Sequence, residues 1–386
     1  MIQNTTTHVI VGGHEYDHEI PHREHRLANY LSERSITDSV LWIYPDSIAE
    51  WRIREPLKHI YEIAVPRQVL SARLPTKFMD RPGFRTYFKA KIKSIVSDFL
   101  SEHTVLWYYS PQFSSLASLE EFWDAIVYDC SDNHTTTGWE YEQNKRLIEF
   151  YRDRVSAHLT QWNEMKILKQ SDIVFASSEY LYNKLEKHTD SPVYLEETGV
   201  DLDKFETPGT FEQIEKIKRP RLGFVGKLKL KIDYQLLAAL AKENPSWNIV
   251  LVGPQRSEKV TDLLDIPNVI NIGKVDPKVV PKVMNSLDIG LMPYREIEYN
   301  KAVFPLKFHE YLASGLPVVG CGLPSTEQYT QQGIYLHTSN RVTDFSDACS
   351  EALSWEGYRD ARLKVAAQAD WESKLERIYS RVSDIY

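Results

Sequence analysis

The sequence predicts an α/β protein with two Rossmann-like domains, each a doubly wound parallel sheet. Three observations support this class. Short apolar runs rich in β-branched and aromatic residues alternate with segments of helical periodicity, as βαβ units require. A second series of this kind begins at Arg221, after a polar stretch over 207–220. The chain has 386 residues, which is long enough for two domains with cores of ordinary size.

Composition excludes several classes of protein. The net charge of −8 argues against a nucleic-acid-binding protein, because such proteins carry a basic footprint. Three widely spaced cysteines predict no disulfide framework. The polar N-terminal stretch leads directly into a strand, and no apolar run has the length of a membrane span, so we expect no signal peptide and no spanning helix. We therefore predict a cytoplasmic protein, or one bound at the inner face of a membrane.

The first half opens with a strand over 8–13 that ends in Gly12 and Gly13. A helix follows near Pro21. A glycine pair at the carboxyl end of the first strand lets the backbone approach a ligand. The loop between strand and helix contains four histidines and three acidic residues, so a metal site is one alternative. Because Pro21 interrupts the run and no regular ligand motif is present, we predict no metal and a loop that lines the substrate cleft.

The segment 78–95 mixes aromatic with basic residues at helical spacing. It predicts either a helix that contacts a membrane surface or an ordinary helix with a solvated basic side. Further buried strands are expected at 40–44, 105–109, 125–128, 171–178 and 192–195.

A polar, titratable loop follows the strand 125–128. Asp132 and His134 are candidate catalytic residues, because side chains just beyond the carboxyl end of a parallel strand face the ligand in this architecture. The alternative is that Asp132 or Asn133 caps the following turn. Cys130 is a weaker candidate for a nucleophile, since a buried structural cysteine is commoner.

In the second half, strands are expected at 222–225, 248–252, 269–272 and 288–293. The first ends in Gly226, and Lys227, Lys229 and Lys231 follow it. Ammonium groups at this place can stabilise the charge that develops on a leaving diphosphate. The alternative is a basic loop without a ligand.

The segment 304–319, FPLKFHEYLASGLPVV, predicts a helix followed by a buried strand. Pro305 is compatible with a first turn, and Gly315 with a helix end. Lys307 and Glu310 are three residues apart and share a face, as an ordinary surface ion pair or as site residues.

This segment resembles the donor-site motif of GT-B glycosyltransferases, in the large retaining family that uses nucleotide sugars. The resemblance implies that Glu310 holds the ribose hydroxyls and that Pro305, Leu306 and Lys307 face the diphosphate and sugar. The family commonly has a second glutamate at the position of Ala302. A subset of bacterial surface-polysaccharide transferases, including the teichuronic-acid type, has the Pro-Leu-Lys sequence found here.

Other segments extend the resemblance. Lys227 and Lys231 match the two cations that contact the diphosphate, and Gly273, Lys274 and Val275 match the loop that receives the base. The YDCSD sequence at 128–132 is similar to the loop that positions the transferred sugar, and WESKLERI at 371–378 resembles the last helix. The resemblance implies an N-terminal acceptor-side domain at 1–205, a donor domain at 206–368 and a helix at 369–386 that crosses back, with a cleft between the domains.

We therefore expect a hexosyltransferase that moves a sugar from a nucleotide donor, UDP-linked by preference, to a glycan or lipid-linked glycan. The resemblance implies retention of configuration, with no metal and no other cofactor. Gly12, Gly13 and Gly226 would let the backbone approach the donor. The alternatives are a GT-B sugar-nucleotide epimerase, disfavoured by the aromatic and basic first half, and a non-catalytic GT-B binding protein, which Ala302 keeps open.

Overall fold

The computed structural model describes residues 5–16, 22–48, 50–66, 82–136, 147–206, 209–257 and 260–386. In the helices that begin at 82 and 147, side chains are described from residues 90 and 154 onward. The chain forms two compact units. The first contains Met1–Glu196 and Leu375–Tyr386, and the second contains Glu197–Lys374. The boundaries predicted from the sequence lie after 205 and after 368.

The first unit contains an eight-stranded sheet in the order β3-β4-β2-β1-β5-β6-β7-β8. Every neighbouring pair is parallel except β3 with β4. The strands are β1 Thr6–Val11, β2 Thr37–Asp46, β3 Arg52–Leu57, β4 Ile60–Pro66, β5 His103–Tyr108, β6 Ala125–Cys130, β7 Ile173–Ala176 and β8 Val193–Leu195. The described helices are α1 Arg23–Ser32, α2 Pro82–Ser97, α3 Leu147–Leu168 and α4 Glu179–Leu185.

The second unit contains a six-stranded sheet in the order β11-β10-β9-β12-β13-β14, with every pair parallel. Its strands are β9 Arg221–Val225, β10 Asn248–Val252, β11 Val269–Gly273, β12 Ile289–Pro293, β13 Val318–Cys321 and β14 Tyr335–His337. The strand order reverses between β9 and β12. In doubly wound sheets such a switch point opens a crevice at the carboxyl ends of the strands, where ligands bind. The first sheet has its own switch point between β1 and β5.

The described helices of the second unit pack around this sheet. They are α5 Glu212–Glu215, α6 Tyr234–Glu243, α7 Thr261–Leu264, α8 Val280–Asn285, α9 Glu298–Lys301, α10 Leu306–Ala313, α11 Val342–Leu353 and α12 Arg359–Ala367. The last helix, α13 Trp371–Ser383, begins in the second unit and ends in the first. Among the helices that the structure describes, none combines the length and apolar character needed to cross a membrane.

Helix α10 ends as the sequence predicts and is capped from another helix. Gly315 follows it with φ +77°, a left-handed conformation that glycine adopts without strain. Arg359 and Arg362 of α12 donate hydrogen bonds to the carbonyl oxygens of Ser314 (2.8 Å) and Gly315 (2.9 Å). These guanidinium groups satisfy the free carbonyls at the helix end and oppose the negative end of its dipole. The C-terminal end of α10 is therefore fixed by the packing of α12.

The structure confirms the two-sheet fold class and adds elements that the sequence did not reveal. The antiparallel hairpin of β3 and β4 is one of them. The sequence of β3, RIREPL, is largely polar and exposed, so it lacks the apolar pattern from which a strand is predicted. The basic segment 78–95 falls partly outside the described residues. Its described part belongs to α2, where Lys91 and Lys93 are exposed and Lys93 pairs with Glu121 at 3.1 Å. Contact with a membrane there remains a prediction.

Candidate functional site

Gly226 lies at the switch point of the second sheet, directly after β9. Its φ of +149° is favourable only for glycine, and its N–H donates to Val252 O (2.8 Å). A Cβ at Gly253 would lie only 2.1 Å from Gly226 O, so the backbone segments that follow β9 and β10 are in direct contact. The absence of side chains at these two positions makes room for groups from other elements.

The ammonium group of Lys307 occupies part of that room. Lys307 lies in the first turn of α10, and a Cβ at Gly226 would be 2.9 Å from both its Cε and its Nζ. Its Nζ donates to Tyr294 Oη (3.2 Å) and lies 5.2 Å from the centre of the Phe224 ring. Lys307 is therefore directed towards the end of β9, as a residue that contacts a donor phosphate would be.

Lys231 reaches the same tyrosine from the loop that follows β9. Its Nζ lies 5.6 Å from the ring centres of Tyr294 and Tyr299. Asn300 holds the loop, because its side-chain amide donates to Lys231 O (3.3 Å) and Arg295 O (2.8 Å). The lysine cluster, defined here as Lys231 and Lys307 with Tyr294 between them, joins the loops after β9 and β12 to the start of α10.

Positive charge dominates the surroundings of Tyr294. Tyr294 is 1% exposed, and burial by itself would raise the pKa of its phenol. The positive charges of Lys307, Lys231 and Lys229 outweigh burial, so the pKa of Tyr294 falls below its ordinary value. Three positive charges thus act on one buried phenol, and such an arrangement favours an anionic ligand.

Glu310 lies one turn after Lys307 and is half-buried. Its helix is anchored by Tyr311, whose hydroxyl accepts from Val225 N–H (2.8 Å) and lies 3.1 Å from Gly223 O. These contacts attach α10 to the end of β9. His309, on the buried side of the helix, stacks on Phe304 at 5.2 Å.

The remaining predicted donor residues have different surroundings. Pro305 is buried and Leu306 is 37% exposed. Gly273, the last residue of β11, has φ +80°. Beyond it Lys274 is exposed, and Val275 packs against the core. Lys227 is half-buried, and its carbonyl oxygen accepts from Lys229 N–H (3.0 Å). Ala302 is buried at 1% exposure, so no carboxylate occupies the position where the family often has one.

In the first unit, the two adjacent glycines have different environments. A Cβ at Gly12 would lie 2.7 Å from the buried indole ring of Trp42, whereas no atom would come within 4 Å of a Cβ at Gly13. Gly12 is therefore required by packing. Gly13 is open, so it keeps the predicted role of letting a ligand approach the backbone.

The loop after β6 is held by a polar network. Lys184 of α4 donates to Asn133 Oδ1 (3.2 Å), to Thr135 Oγ1 (3.2 Å) and to the buried Glu164 (2.9 Å). Asp132 is exposed and His134 is half-buried in this loop. The loop is thus fixed at Asn133, and its neighbouring candidate residues keep access to solvent.

Cys130 does not have the environment of a nucleophile. It is fully buried, and its thiol donates to Asp132 O (3.4 Å). Burial, and next the charge of Glu164, raise the pKa of the thiol far above its ordinary value. Cys130 therefore fits the buried structural cysteine that the sequence favours over a nucleophile.

The histidine-rich loop leads to a buried acidic group that the sequence did not single out. Arg23 forms a buried ion pair with Asp129 at 2.7 Å. The next residue, Glu24, is buried with its Oε1 4.0 Å from His14 Nε2. Burial above all, with the charges of Asp129 and Asp132, raises the pKa of Glu24 to about 7. Arg23 at the start of α1 reaches Asp129 of β6, and the sequence alone carries no signal of that contact.

A metal ion is one conceivable ligand of this loop. Ligand-type atoms of His14, Glu24 and His25 lie within 4.8 Å of one another. His25 Nδ1, however, already accepts the backbone N–H of His22 (3.2 Å) and so caps α1. A cation bound at that nitrogen would have to replace the cap. The prediction that no metal binds remains a prediction.

The fold is that of the GT-B glycosyltransferases. The structure matches sucrose-phosphate synthase from Thermosynechococcus elongatus with a TM-score of 0.71 at 15% identity, over 98% of this chain and 99% of that one. It matches the Anabaena protein HepE, solved in complex with UDP, with a TM-score of 0.66 at 14% identity, over 98% of this chain and 100% of that one.

Sequence comparison defines the family. The model described as "Glycosyl transferases group 1" matches residues 219–354, which include the lysine cluster and α10. The Bacillus subtilis protein named "Putative teichuronic acid biosynthesis glycosyltransferase TuaH" is 32% identical over 396 residues, covering 96% of each chain. The chain belongs to the group 1 glycosyltransferase family and is a transferase. Membership implies two substrates, a nucleotide-sugar donor and an acceptor.

Proposed function

We propose that this glycosyltransferase transfers a hexose from a UDP-sugar to a glycan or lipid-linked glycan during the synthesis of a cell-surface polysaccharide. The transfer retains the anomeric configuration and needs no metal ion. The lysine cluster is the observation that carries this proposal. It places two ammonium groups at the switch point of the second sheet, where a diphosphate gains negative charge as the bond to the sugar breaks.

The donor is held along the start of α10. Lys307 and Lys231, with Lys227 beside Gly226, neutralise the diphosphate. Glu310 accepts hydrogen bonds from the ribose hydroxyls, one helical turn from Lys307. The backbone of Lys274 and Val275 receives the base. Uracil is the preferred base because HepE, a structural relative, was solved with UDP.

Lysine side chains make a metal unnecessary in this scheme. They supply the positive charge that a divalent cation would otherwise bring to the diphosphate, and they are fixed before the donor arrives. The departing phosphate can accept the proton of the acceptor hydroxyl on the face that it leaves, which gives retention without a protein base. Asp132 or His134 positions the transferred sugar.

The name of the relative TuaH supports the polysaccharide class. TuaH is named for teichuronic acid biosynthesis, and the similarity to it spans almost the whole of both chains. An acceptor in a related surface polymer agrees with the family and with the aromatic and basic composition of the first half.

The test is a panel of nucleotide sugars offered to the full-length protein, with and without EDTA, scored by binding and by transfer or hydrolysis. We expect one uridine-linked donor to bind and turn over equally well in both conditions. Glu310→Ala should weaken donor binding about tenfold or more, because a charged hydrogen-bond acceptor is lost.

The matched control is Glu351→Ala, which removes an exposed carboxylate from α11 in the same unit. It should bind donor as the wild type does. Failure of every donor to bind, or equal binding by Glu310→Ala and wild type, contradicts the proposal. Interconversion of two donors without an acceptor would instead show an epimerase.

A further inference from the structure

The backbone of Tyr294 is held by contacts with three neighbouring segments. Its N–H donates to Cys321 O (3.3 Å), and its carbonyl oxygen accepts from the side chain of Asn340 (2.8 Å). Its backbone also forms a bridge with Ile232, in the loop that carries Lys231. The side chain is buried at 1% exposure. The phenol therefore has a defined place just beyond the end of β12. A long lysine side chain loses rotamer freedom when it contacts such a partner.

The contacts of the phenol differ for the two lysines. Lys307 donates to its oxygen at 3.2 Å, and Lys231 lies 5.6 Å from the centre of its ring. One aromatic residue thus serves as hydrogen-bond acceptor for one ammonium group and as a cation–π partner for the other. Removing the hydroxyl alone would affect Lys307 directly and leave the ring beside Lys231.

We propose that Tyr294 is a positioning residue that fixes Lys307 and Lys231 for the diphosphate of the donor, and that its neutral form is the one competent for binding. This inference rests on the proposed function, because it assigns the diphosphate to the lysine cluster. Ionisation of the phenol would put a negative charge between the two ammonium groups and compete with the diphosphate for them. Donor binding should therefore decline as the phenol ionises.

The direction of the pH effect follows from the groups that face Tyr294. The charges of Lys307 on α10, and of Lys231 and Lys229 on the loop after β9, lower the pKa of the phenol below its ordinary value of 10.0 against the effect of burial. The Tyr311 hydroxyl of α10 and the Cys321 thiol of β13 also lie close, and burial raises the pKa of both. The carboxylates of Asp233 and Glu296 face Cys321, and Asp233 shares the Asn340 side chain with Tyr294. Tyr311 and Cys321 stay neutral, so the Tyr294 phenol is the first of these three groups to ionise as the pH rises.

The test measures the dissociation constant of UDP for the full-length protein by calorimetry, from about pH 7 to about pH 9.5. The diphosphate of UDP is about nine-tenths or more ionised throughout this range, since its last pKa is about 6. Ionisation of the uracil ring at the alkaline end is the same for wild type and variants, so the comparison between them isolates the phenol. We expect wild-type affinity to fall steadily as the pH rises. Tyr294→Phe should bind about three- to tenfold more weakly near pH 7 and should lose most of this pH dependence.

Two further variants separate positioning from general loss of structure. Tyr335→Phe also removes a buried hydroxyl from the second unit, one that pairs with Thr326 at 2.8 Å, and it should keep the wild-type pH profile. Lys231→Gln should move the alkaline decline to higher pH, because it removes one charge that lowers the pKa of Tyr294.

If wild-type protein binds UDP but Tyr294→Phe shows the same pH profile, the inference is wrong and the proposed function stands. If the UDP affinity of Lys231→Gln declined over the same pH range as that of wild type, the inference would also be wrong. This holds even if Tyr294→Phe did not fold. If wild-type protein binds no UDP at any pH, both the proposed function and the inference fail.

Discussion

The pKa of Glu24 shows how strongly the protonation of one side chain depends on its neighbours in the fold. In the sequence it is one of several acidic residues beside the histidines near Pro21. In the structure it is 7% exposed, and it lies beside the buried ion pair of Arg23 and Asp129. A carboxyl group in that place is easier to bury as the neutral acid, so its pKa rises to about 7.

This pKa predicts a pH-dependent contribution to stability. The folded state binds the proton of Glu24 more tightly than the unfolded chain, whose glutamate pKa is near 4.5. The contribution is fully present below about pH 4.5 and is lost as the pH rises through about 7. Glu24→Gln should remove this loss, on the order of 3 kcal/mol. The free energy of unfolding of Glu24→Gln, relative to that of wild type, should therefore increase from pH 5 to pH 8.

Urea denaturation at several pH values measures that difference. A difference between variant and wild type that stays constant with pH would contradict the raised pKa of Glu24. Glu179→Gln, at the exposed start of α4, is the control that removes a carboxylate from the same unit without burial. Its free energy of unfolding should follow that of wild type across the range.

At the scale of elements, the sequence was most informative where one segment determines its own shape. Helix α10, with a proline before it and Gly315 after it, was predicted from local signals alone and lies almost where expected. Strand β14 and the helix α12 that caps α10 were not predicted. Their sequences have weak periodicity, and packing against β13 and α10 gives them their place.

The loop between β1 and α1 permits a test with two adjacent glycines. In Gly12→Ala the new methyl group would meet the Trp42 ring at 2.7 Å, so we expect a loss of about 1–3 kcal/mol in stability. In Gly13→Ala the methyl group meets no atom within 4 Å, so the melting temperature should stay close to wild type.

Activity then distinguishes packing from function at this loop. If the backbone at Gly13 contacts a substrate, Gly13→Ala should lower kcat/KM while the protein melts normally. Unchanged kinetics in Gly13→Ala would show that the glycine pair serves only to accommodate Trp42.

At the scale of the whole molecule, the sequence predicted two parallel-sheet units, and the structure confirms them. Alternating strand and helix patterns carry that information because each pattern is local. The cluster around Tyr294 was not predicted as a whole. Lys231 and Lys307 were named separately, but their convergence on one phenol depends on the strand order that places β9 beside β12.

The central claim is that the lysine cluster binds the diphosphate of a nucleotide sugar. Calorimetric titration of UDP into wild-type and Lys307→Gln protein, with EDTA present, tests it most directly. The account predicts metal-independent binding that weakens about tenfold in the variant and with rising salt, while the melting temperature hardly changes. Lys242→Gln, which removes an exposed charge from α6, should bind as wild type does. Equal affinity of Lys307→Gln and wild type, or binding that requires a divalent cation, would contradict it.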